Sequence, residues 1–379
     1  MKRFVFIILI LWGCSLGSHA QRSNIIGAFQ LIENGKYEDA KKAIQEAVVD
    51  KKTRKWSKTY YARGLLCQTA YEKGIAKKDK KLYELYPDQL IVAYDSYKKA
   101  LTLRKNDRIL DQLEPLFVEL ANDFIKVSEQ HYTSKRYEDA LKTFEYVMEI
   151  NQSKVLSLEL DTSLIYNTAL AAYKGKLYDK AIKHLNRLNE LNYSTNVPHL
   201  LYAIHIEQGD TASAKEALID GIDRYEKTED LILLLVDINY EEGNIEEAVE
   251  VLDTAALKTP SNYIFPFTKG LLYQKVEQYD KAIEAYKQAN VLDSAQIESC
   301  TKLGTCYFNI GVEIEKYSRS IKNNSVFLTE KAKSTEARKS AVKWLEKAYE
   351  YDPENQTVRE QLSQLYQVLQ ESEKLEKLD

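Results

Sequence analysis

The feature that most constrains the fold is a short segment that recurs along the chain. A tyrosine, an acidic residue, a second charged residue and an alanine stand at Tyr37–Ala40, Tyr137–Ala140, Tyr178–Ala181 and Tyr279–Ala282. Weaker copies end at Ala93, Ala214, Ala248 and Ala341. The intervals from Ala181 to Ala214, Ala248 and Ala282 are 33, 34 and 34 residues. A period of this length predicts stacked supersecondary units rather than separate globular domains.

Each of the eight alanines starts an apolar stripe. Four positions later stand the large residues Ile44, Tyr97, Phe144, Leu185, Leu218, Leu252, Tyr286 and Leu345. Three positions further stand Ala47, Ala100, Val147, Leu188, Gly221, Ala255, Ala289 and Ala348. Residues at i, i+4 and i+7 share one face of a helix, so every copy is predicted to begin a helix with one buried side.

The repeated pattern resembles the tetratricopeptide repeat family. The first helix of that repeat carries a small residue and an aromatic residue, which are found here in Gly270-x-x-Tyr273 and Leu303-Gly304-x-x-Tyr307. Gly64-x-x-Cys67 is a weaker version, and the tryptophan usual in the family's first helix is missing. The resemblance implies an all-α fold, a right-handed α-solenoid of stacked antiparallel helix hairpins, with the first helices lining a concave groove.

The resemblance also predicts how the chain is divided. About eight hairpins occupy residues 21–355, and residues 356–379 form a capping helix with apolar side chains at helical spacing. Several alanine intervals exceed the standard period, so insertions are expected near residues 72–89 and 315–337. Both stretches are rich in lysine, which is typical of solvated helix extensions or protruding loops.

The composition supports a folded helical protein and excludes one class of partner. Hydrophobic residues make up 44% of the chain and charged residues 29%, which is enough apolar material for a core. There are only 6 prolines and 13 glycines, few for an all-β fold. The net charge of −4 gives no sign of the basic face that binds nucleic acid.

The N-terminus has the pattern of a secretory signal. Lys2 and Arg3 precede an apolar run from Phe4 to Trp12, which is too short to span a bilayer. Small residues at Ser18 and Ala20 then fit the site of signal cleavage. We therefore expect residues 1–20 to be removed between Ala20 and Gln21, and the protein to be exported to the periplasm.

An alternative for the N-terminus is lipidation at Cys14. The run Leu11-Trp12-Gly13-Cys14 resembles a bacterial lipobox, although Trp12 fits that pattern poorly. Acylation would anchor the protein to the outer membrane. Three tripeptides, beginning at Asp210, Asp253 and Asp293, also resemble the O-glycosylation sequon of secreted Bacteroidetes proteins, but helix capping explains them equally well.

No constellation in the sequence predicts catalysis. The histidines after residue 20 are dispersed over different repeats: His131, His184, His199 and His205. No nucleophile elbow, phosphate loop or HExxH motif is found. Cys67, Cys300 and Cys306 lack the spacing of zinc or redox pairs and are expected to be packed thiols. We predict no enzyme, cofactor or metal site, with a helical-repeat hydrolase as the remaining alternative.

Aromatic residues are the candidates for partner contact. When the repeats are aligned on their alanines, eight aromatic residues fall on the inward side of the first helices. They are Phe29, Tyr61, Tyr132, Tyr166, Tyr173, Tyr240, Phe267 and Phe308. Aromatic side chains are frequent interface anchors, and packing between helices is the competing explanation.

The sequence thus predicts a non-enzymatic scaffold or adaptor of the cell envelope. It would bind envelope proteins or peptides in the concave groove, and would meet the membrane only if lipidated at Cys14. The alternative is an outer-membrane lipoprotein assembly factor for secretion or surface polymers.

Overall fold

The computed structural model describes residues 25–104, 108–159, 161–294 and 297–378. The predicted signal segment, with Cys14, Ala20 and Gln21, lies outside the described residues. The described residues form helices and connecting turns, with no strand among them, which confirms the all-α fold class. The chain divides into two compact units, with the boundary between Tyr193 and Ser194.

The first unit contains nine helices. They are α1 (25–33), α2 (Tyr37–Val49), α3 (Ser57–Lys77), α4 (Lys80–Tyr83), α5 (Gln89–Thr102), α6 (Arg108–Thr133), α7 (Tyr137–Asn151), α8 (Thr162–Lys174) and α9 (Tyr178–Glu190). Helix α1 leads through the turn at Gly35 into α2, and these two are counted as the first pair. The following helices pack as the pairs α3–α5, α6–α7 and α8–α9, with α4 inside the connection of the second pair. One signature alanine lies in the second helix of every pair: Ala40, Ala93, Ala140 and Ala181.

The second unit has the same plan and ends in a cap. Its helices are α10 (Asn196–Glu207), α11 (Thr211–Arg224), α12 (Glu229–Glu241), α13 (Ile245–Lys258), α14 (Ile264–Lys275), α15 (Tyr279–Leu292), α16 (Ile297–Ser318), α17 (Asn324–Tyr351), α18 (Gln356–Leu369) and α19 (Ser372–Glu376). The pairs are α10–α11, α12–α13, α14–α15 and α16–α17. Helix α18 buries Val358, Leu362 and Leu365 in the core of the last pair, and α19 folds back beside it.

The alanine register predicted from the sequence is confirmed. All eight signature alanines, from Ala40 to Ala341, have 0% exposed surface. The eight large residues four positions later are at most 4% exposed. Because an alanine side chain is small, a neighbouring helix can approach closely at that point, and the large residue four positions on fills the space beside it.

Glycines in the first helices receive those large side chains. A Cβ atom added at Gly270 would lie 2.6 Å from ring carbons of Tyr286. Gly64 faces Tyr97 in the same way, and Gly304 faces Leu345. The small-residue position predicted for the first helix is therefore a contact point with the second helix.

The turn inside a pair places one residue in the left-handed region. Gly35, Gly209 and Gly243 hold this position with φ of 71°, 76° and 80°. In three other pairs the same position, five residues before the signature alanine, is a non-glycine residue: Lys135 (φ 59°), Lys176 (φ 57°) and Glu277 (φ 59°). The backbone closes identically in both groups, since Gly243 N donates to Tyr240 O (2.9 Å) and Glu277 N to Gln274 O (3.1 Å).

We expect the two kinds of turn to respond oppositely to substitution. Gly243→Ala puts a Cβ atom into left-handed backbone and should reduce the free energy of unfolding by about 1 kcal/mol. Glu277→Gly relieves that strain, although the greater conformational entropy of glycine in the unfolded chain offsets part of the gain. The substitution should therefore raise the free energy of unfolding by up to about 1 kcal/mol. Urea unfolding followed by circular dichroism measures both, and equal midpoints for the two variants would contradict this account.

The two stretches predicted as insertions have different structures. In residues 72–89, α3 continues to Lys77, and α4 with the following turn folds back against it. The Gln89 side chain fixes this segment, because its Nε2 donates to Cys67 O (2.8 Å) and Leu82 O (3.1 Å). In residues 315–337, α16 and α17 extend past the length of their neighbours and form one long hairpin.

Candidate functional site

The eight aromatic residues singled out in the sequence all lie on first helices of their pairs. Every one is half-buried, with neither a fully packed nor a fully exposed side chain. They occur on seven helices: α1, α3, α6, α8, α12, α14 and α16. These residues are named here the aromatic surface of each unit, which comprises Phe29, Tyr61, Tyr132, Tyr166 and Tyr173 in the first unit and Tyr240, Phe267 and Phe308 in the second.

In the first unit, neighbouring rings hold these residues in place. The Phe29 and Tyr61 rings lie 5.9 Å apart, and Tyr61 lies 6.2 Å from buried Tyr97. The Tyr132 ring meets Tyr137 edge-on at 5.4 Å. The structure thus brings Phe29 and Tyr61 together, while Tyr132 contacts the start of α7.

The two aromatic residues of α8 have other neighbours. The Tyr166 ring lies 5.4 Å from Tyr193, which follows the second helix of the same pair. The Tyr173 ring lies 5.4 Å from Nζ of the adjacent Lys174. Each of these rings is therefore partly ordered by its own pair.

In the second unit one aromatic residue bridges successive pairs, and the other two pack within their own pair. Lys275 Nζ of α14 lies 4.3 Å from the Tyr240 ring centroid of α12, within cation–π distance. Phe267 is tilted against Tyr286 at 5.5 Å. Phe308 packs on the core of the last pair, beside Leu345. Each ring is thus partly packed against its neighbours and partly exposed at the surface.

These contacts fix the chemical character of the aromatic surfaces. Burial raises the pKa of the Tyr61 and Tyr132 hydroxyls, so both stay neutral near pH 7. A neutral phenol offers apolar area with a hydrogen-bonding tip. Because the rings already touch neighbours, little side-chain freedom is left to lose when a partner binds.

The second unit carries a further concave feature, an acidic groove of about 1050 Å³. Its floor is apolar and includes Ile219, Ile222, Val251 and Phe265. Its rim carries six exposed carboxylates: Asp223, Glu226, Glu229, Asp230, Glu247 and Glu250. Only two lysines, Lys227 and Lys258, line it.

The rim of the acidic groove is not neutralised from within. Among the described residues, none of the six carboxylates forms an ion pair, although Asn262 Nδ2 donates to Glu229 Oε1 (2.6 Å). Ile219 leaves 48% of its surface exposed on the floor. An apolar floor under an uncompensated negative rim favours a ligand that is both apolar and cationic, and disfavours phosphate groups.

Sequence reasoning did not find the acidic groove. It is lined by α11, α12, α13 and the connection after α11, with Phe265 of α14, whereas the prediction concerned aromatic residues of the first helices. Its acids come from two repeats and their connection, and in the sequence each looks like an ordinary solvated or helix-starting acid. The available signal was the group of acids from Asp223 to Asp230, followed by Glu247 and Glu250.

A smaller cavity, of about 540 Å³, lies in the first unit. Tyr71 of α3, Tyr83 and Tyr86 of the insertion, and His131 of α6 line it. The Tyr86 ring is held by two cations, with Lys41 Nζ 5.0 Å and the Arg63 guanidinium 5.7 Å from its centroid. This cavity exists because the segment after α3 folds back, which the sequence did not predict.

The groups with a metal-binding or acid–base character were located among the described residues. No group of three or more His, Cys, Asp or Glu side chains within them could hold a metal ion. Burial lowers the pKa of His131 and of His184, on separate helices. In the same part of the chain, no helix combines the length and apolarity needed to cross a membrane.

The three cysteines among the described residues, Cys67, Cys300 and Cys306, are buried thiols, and their environment predicts low reactivity. Burial raises the pKa of Cys67 and of Cys306 to about 12 and also raises that of Cys300. Since the thiolate is the reactive form, N-ethylmaleimide at neutral pH should leave all three unmodified in the native chain and modify them after unfolding. Intact-mass measurement checks this, and rapid labelling of a native thiol would show that the packing around it is wrong.

Comparison with known sequences agrees with the repeat pattern. Residues 205–264 and residues 267–295 each match the tetratricopeptide repeat family. The first match begins inside α10 and ends at the start of α14, and the second covers most of α14 with α15. The chain therefore contains tetratricopeptide repeats.

Individual relatives are distant. A TPR repeat-containing protein of Methanocaldococcus jannaschii is 27% identical over 154 residues, which is 40% of this chain but only 27% of that protein. The structure of a TPR repeats protein from Bacteroides fragilis covers 65% of this chain and 98% of its own, at 18% identity and a TM-score of 0.38. YrrB, described as a TPR protein with an unusual peptide-binding site, covers 62% of this chain and 88% of its own, at 13% identity and a TM-score of 0.28.

Proposed function

We propose that this chain is an exported, non-enzymatic adaptor that binds other envelope proteins or peptides through its aromatic surfaces. One observation carries the proposal: eight half-buried aromatic side chains stand on seven first helices, each held by its neighbours but open on one side. Tetratricopeptide repeat proteins are typically protein-interaction scaffolds, which makes a protein or peptide the ligand class to expect.

The physical basis is the area that such rings offer at low entropic cost. Truncating an aromatic anchor at a protein interface costs at least about 2 kcal/mol when the anchor is central. Rings fixed in advance, such as Tyr61 between Phe29 and Tyr97, bind without first losing rotamer freedom. Several such anchors along one face suit an extended or helical segment better than a small molecule.

The location in the periplasm is part of the proposal and rests on residues 1–20. N-terminal sequencing of the protein from its native host should begin at Gln21, and fractionation should recover it with soluble periplasmic proteins. A chain that retains Met1 and stays in the cytoplasm would contradict the proposed location in the cell envelope.

The alternative is an outer-membrane lipoprotein that assists assembly in secretion or surface-polymer handling. It requires an acylated Cys14, so metabolic labelling with a clickable fatty acid separates the two. Label on the wild-type protein that disappears in Cys14→Ala favours the lipoprotein, and no label on either favours the soluble adaptor.

A helical-repeat hydrolase is the alternative from another class of protein. The purified chain can be screened with generic ester, phosphate and glycoside substrates beside a heat-unfolded sample. Turnover lost on unfolding would support an enzyme and contradict the adaptor.

The adaptor itself is tested by proximity labelling from a ligase fused after Asp379 in the native host. The control is the same ligase exported by the same signal without the repeats. A short, reproducible list of envelope proteins enriched over the control supports the proposal. A list identical to the control contradicts it, because the repeats would then recruit nothing.

A further inference from the structure

The second unit carries, besides the acidic groove, a surface of opposite character. Helices α16 and α17 have 22 and 28 residues, against 12 and 14 in the preceding pair. Ten extra residues lengthen a helix by about 15 Å, and Ser318 is the one buried residue between Val312 and Lys333. The end of this hairpin, residues 316–329, therefore stands in solvent and is named here the hairpin tip.

The hairpin tip is basic and partly apolar. Its charged residues are Lys316, Arg319 and Lys322, and it contains no acid. Arg319 pairs with Glu315 at 2.7 Å, but Lys316 and Lys322 have no ion pair among the described residues. Three large apolar side chains are left open there: Tyr317 at 61%, Val326 at 44% and Leu328 at 56% exposure.

The hairpin tip and the acidic groove complement each other in two respects. Cations without partners on the tip match carboxylates without partners on the rim, and exposed apolar side chains on the tip match the exposed Ile219 on the floor. An interface needs both, since charge guides encounter and register while apolar burial supplies affinity. A volume of about 1050 Å³ exceeds most small-molecule sites and accommodates a helix end.

We infer that the hairpin tip of one copy docks in the acidic groove of a second copy. The two surfaces differ, so a single contact is heterologous, and a docked pair still presents one free tip and one free groove. Copies that join by one contact at a time therefore form a head-to-tail row. This self-association does not rest on the proposed function, because neither the acidic groove nor the hairpin tip includes a residue of the aromatic surfaces.

A second copy is the occupant that the observations favour. The pair α14–α15 lies between the groove pairs and the tip pair in the stack, so the tip cannot reach the groove of its own chain without the unit folding back on itself. Nucleic acid is disfavoured by the negative rim. A basic partner protein would compete for the groove, and the charge-swap experiment below distinguishes it from a second copy. Only when the occupant is a second copy do the substitutions change the charges of both the groove and its ligand.

The experiment measures self-association by sedimentation velocity of the purified chain beginning at Gln21. Wild type should show a weight-average mass that rises with protein concentration at low salt and falls as salt screens the charges. The groove variant Asp223→Lys/Glu250→Lys and the tip variant Lys316→Glu/Lys322→Glu should each weaken association at least about tenfold. Circular dichroism confirms that each variant remains folded.

The decisive part of the experiment is whether association can be restored by combining the two variants. A mixture of the groove variant and the tip variant, or all four substitutions in one chain, restores opposite charges across every contact and should recover association. The controls Glu241→Lys/Glu284→Lys and Lys154→Glu/Lys183→Glu change net charge equally at exposed positions outside both surfaces and should leave association unchanged.

The outcomes are separable. Recovery in the mixture establishes the tip-to-groove contact even if proximity labelling finds no partner. A wild-type chain that stays monomeric at all concentrations overturns the inference, as does loss of association in the controls or failure of the mixture to recover it. None of these results bears on binding at the aromatic surfaces.

Discussion

Replacing Tyr97 by alanine should lower the free energy of unfolding of the first unit by about 4 kcal/mol, within the range measured for large aromatic deletions in cores. Tyr97 is fully buried, its ring lies against Gly64, and rings of Tyr61 (6.2 Å) and Phe117 (5.9 Å) flank it. Its hydroxyl donates to Gln68 Oε1 at 2.9 Å. The substitution therefore opens a cavity and removes a buried hydrogen bond together.

Two further variants separate the contribution of the ring from that of the hydrogen bond and from that of an exposed tyrosine. Tyr97→Phe keeps the ring and should cost only about 1–2 kcal/mol, from the hydrogen bond and the stranded Gln68 oxygen. Tyr351→Ala, at a tyrosine that is 52% exposed, should stay within about 0.5 kcal/mol of wild type. Urea unfolding gives the three values, with hydrogen exchange to assign the loss to the first unit. Equal stability of Tyr97→Ala and Tyr351→Ala would contradict the packing described.

Gly270→Ala should destabilise the second unit by about 1–3 kcal/mol through overpacking. The new methyl group would lie 2.6 Å from ring carbons of Tyr286. That ring is fully buried, and its hydroxyl donates to Gln274 Oε1 at 2.7 Å, so it cannot turn aside without losing the bond. Alanine is normally better than glycine in a helix, so destabilisation here is diagnostic of close packing.

The chain offers a matched control for this substitution. Gly27 also lies in a first helix, and a Cβ atom there would meet nothing within 4 Å. Gly27→Ala should therefore be neutral or stabilise by up to about 1 kcal/mol. Thermal unfolding of both variants against wild type makes the comparison. A stabilising Gly270→Ala would mean that the first and second helices are further apart than described.

The core of this fold could be predicted from the sequence because one small residue recurs at one register. From Ala40 to Ala341, the residue four positions later is buried in every repeat, and so is the residue seven positions later. Packing of this kind is local, since within each unit a pair contacts the next pair in the chain. Gly35, Gly209 and Gly243 each stand five residues before a signature alanine, so turns at these glycines could be predicted for the same reason.

The features that could not be predicted are those that no recurring residue marks in the sequence. Lys135, Lys176 and Glu277 adopt the backbone of the glycine turns without any change in side-chain pattern that marks it. The fold-back of Leu85 and Tyr86 onto α3 depends on the Gln89 side chain, which has no signature of its own.

The candidate surfaces also differ in whether the sequence could predict them. The aromatic residues of the first helices were found by register, whereas the acidic groove needs α11 and α13 side by side before Asp223 and Glu250 face one space. For the hairpin tip, the sequence predicted an insertion near residues 315–337 as a helix extension or a protruding loop, and the structure has extended helices there.

The most direct test of the account is where a partner touches the chain. A photo-crosslinking phenylalanine analogue placed at Tyr132 and at Tyr240, one on each aromatic surface, preserves the aromatic ring and its packing. The same residue at Tyr351, which is exposed on a second helix, is the control. After irradiation in the native host, we expect discrete adducts with envelope proteins from Tyr132 and Tyr240 and none from Tyr351. Adducts from Tyr351 alone, or the same adducts from all three positions, would contradict binding through the first helices.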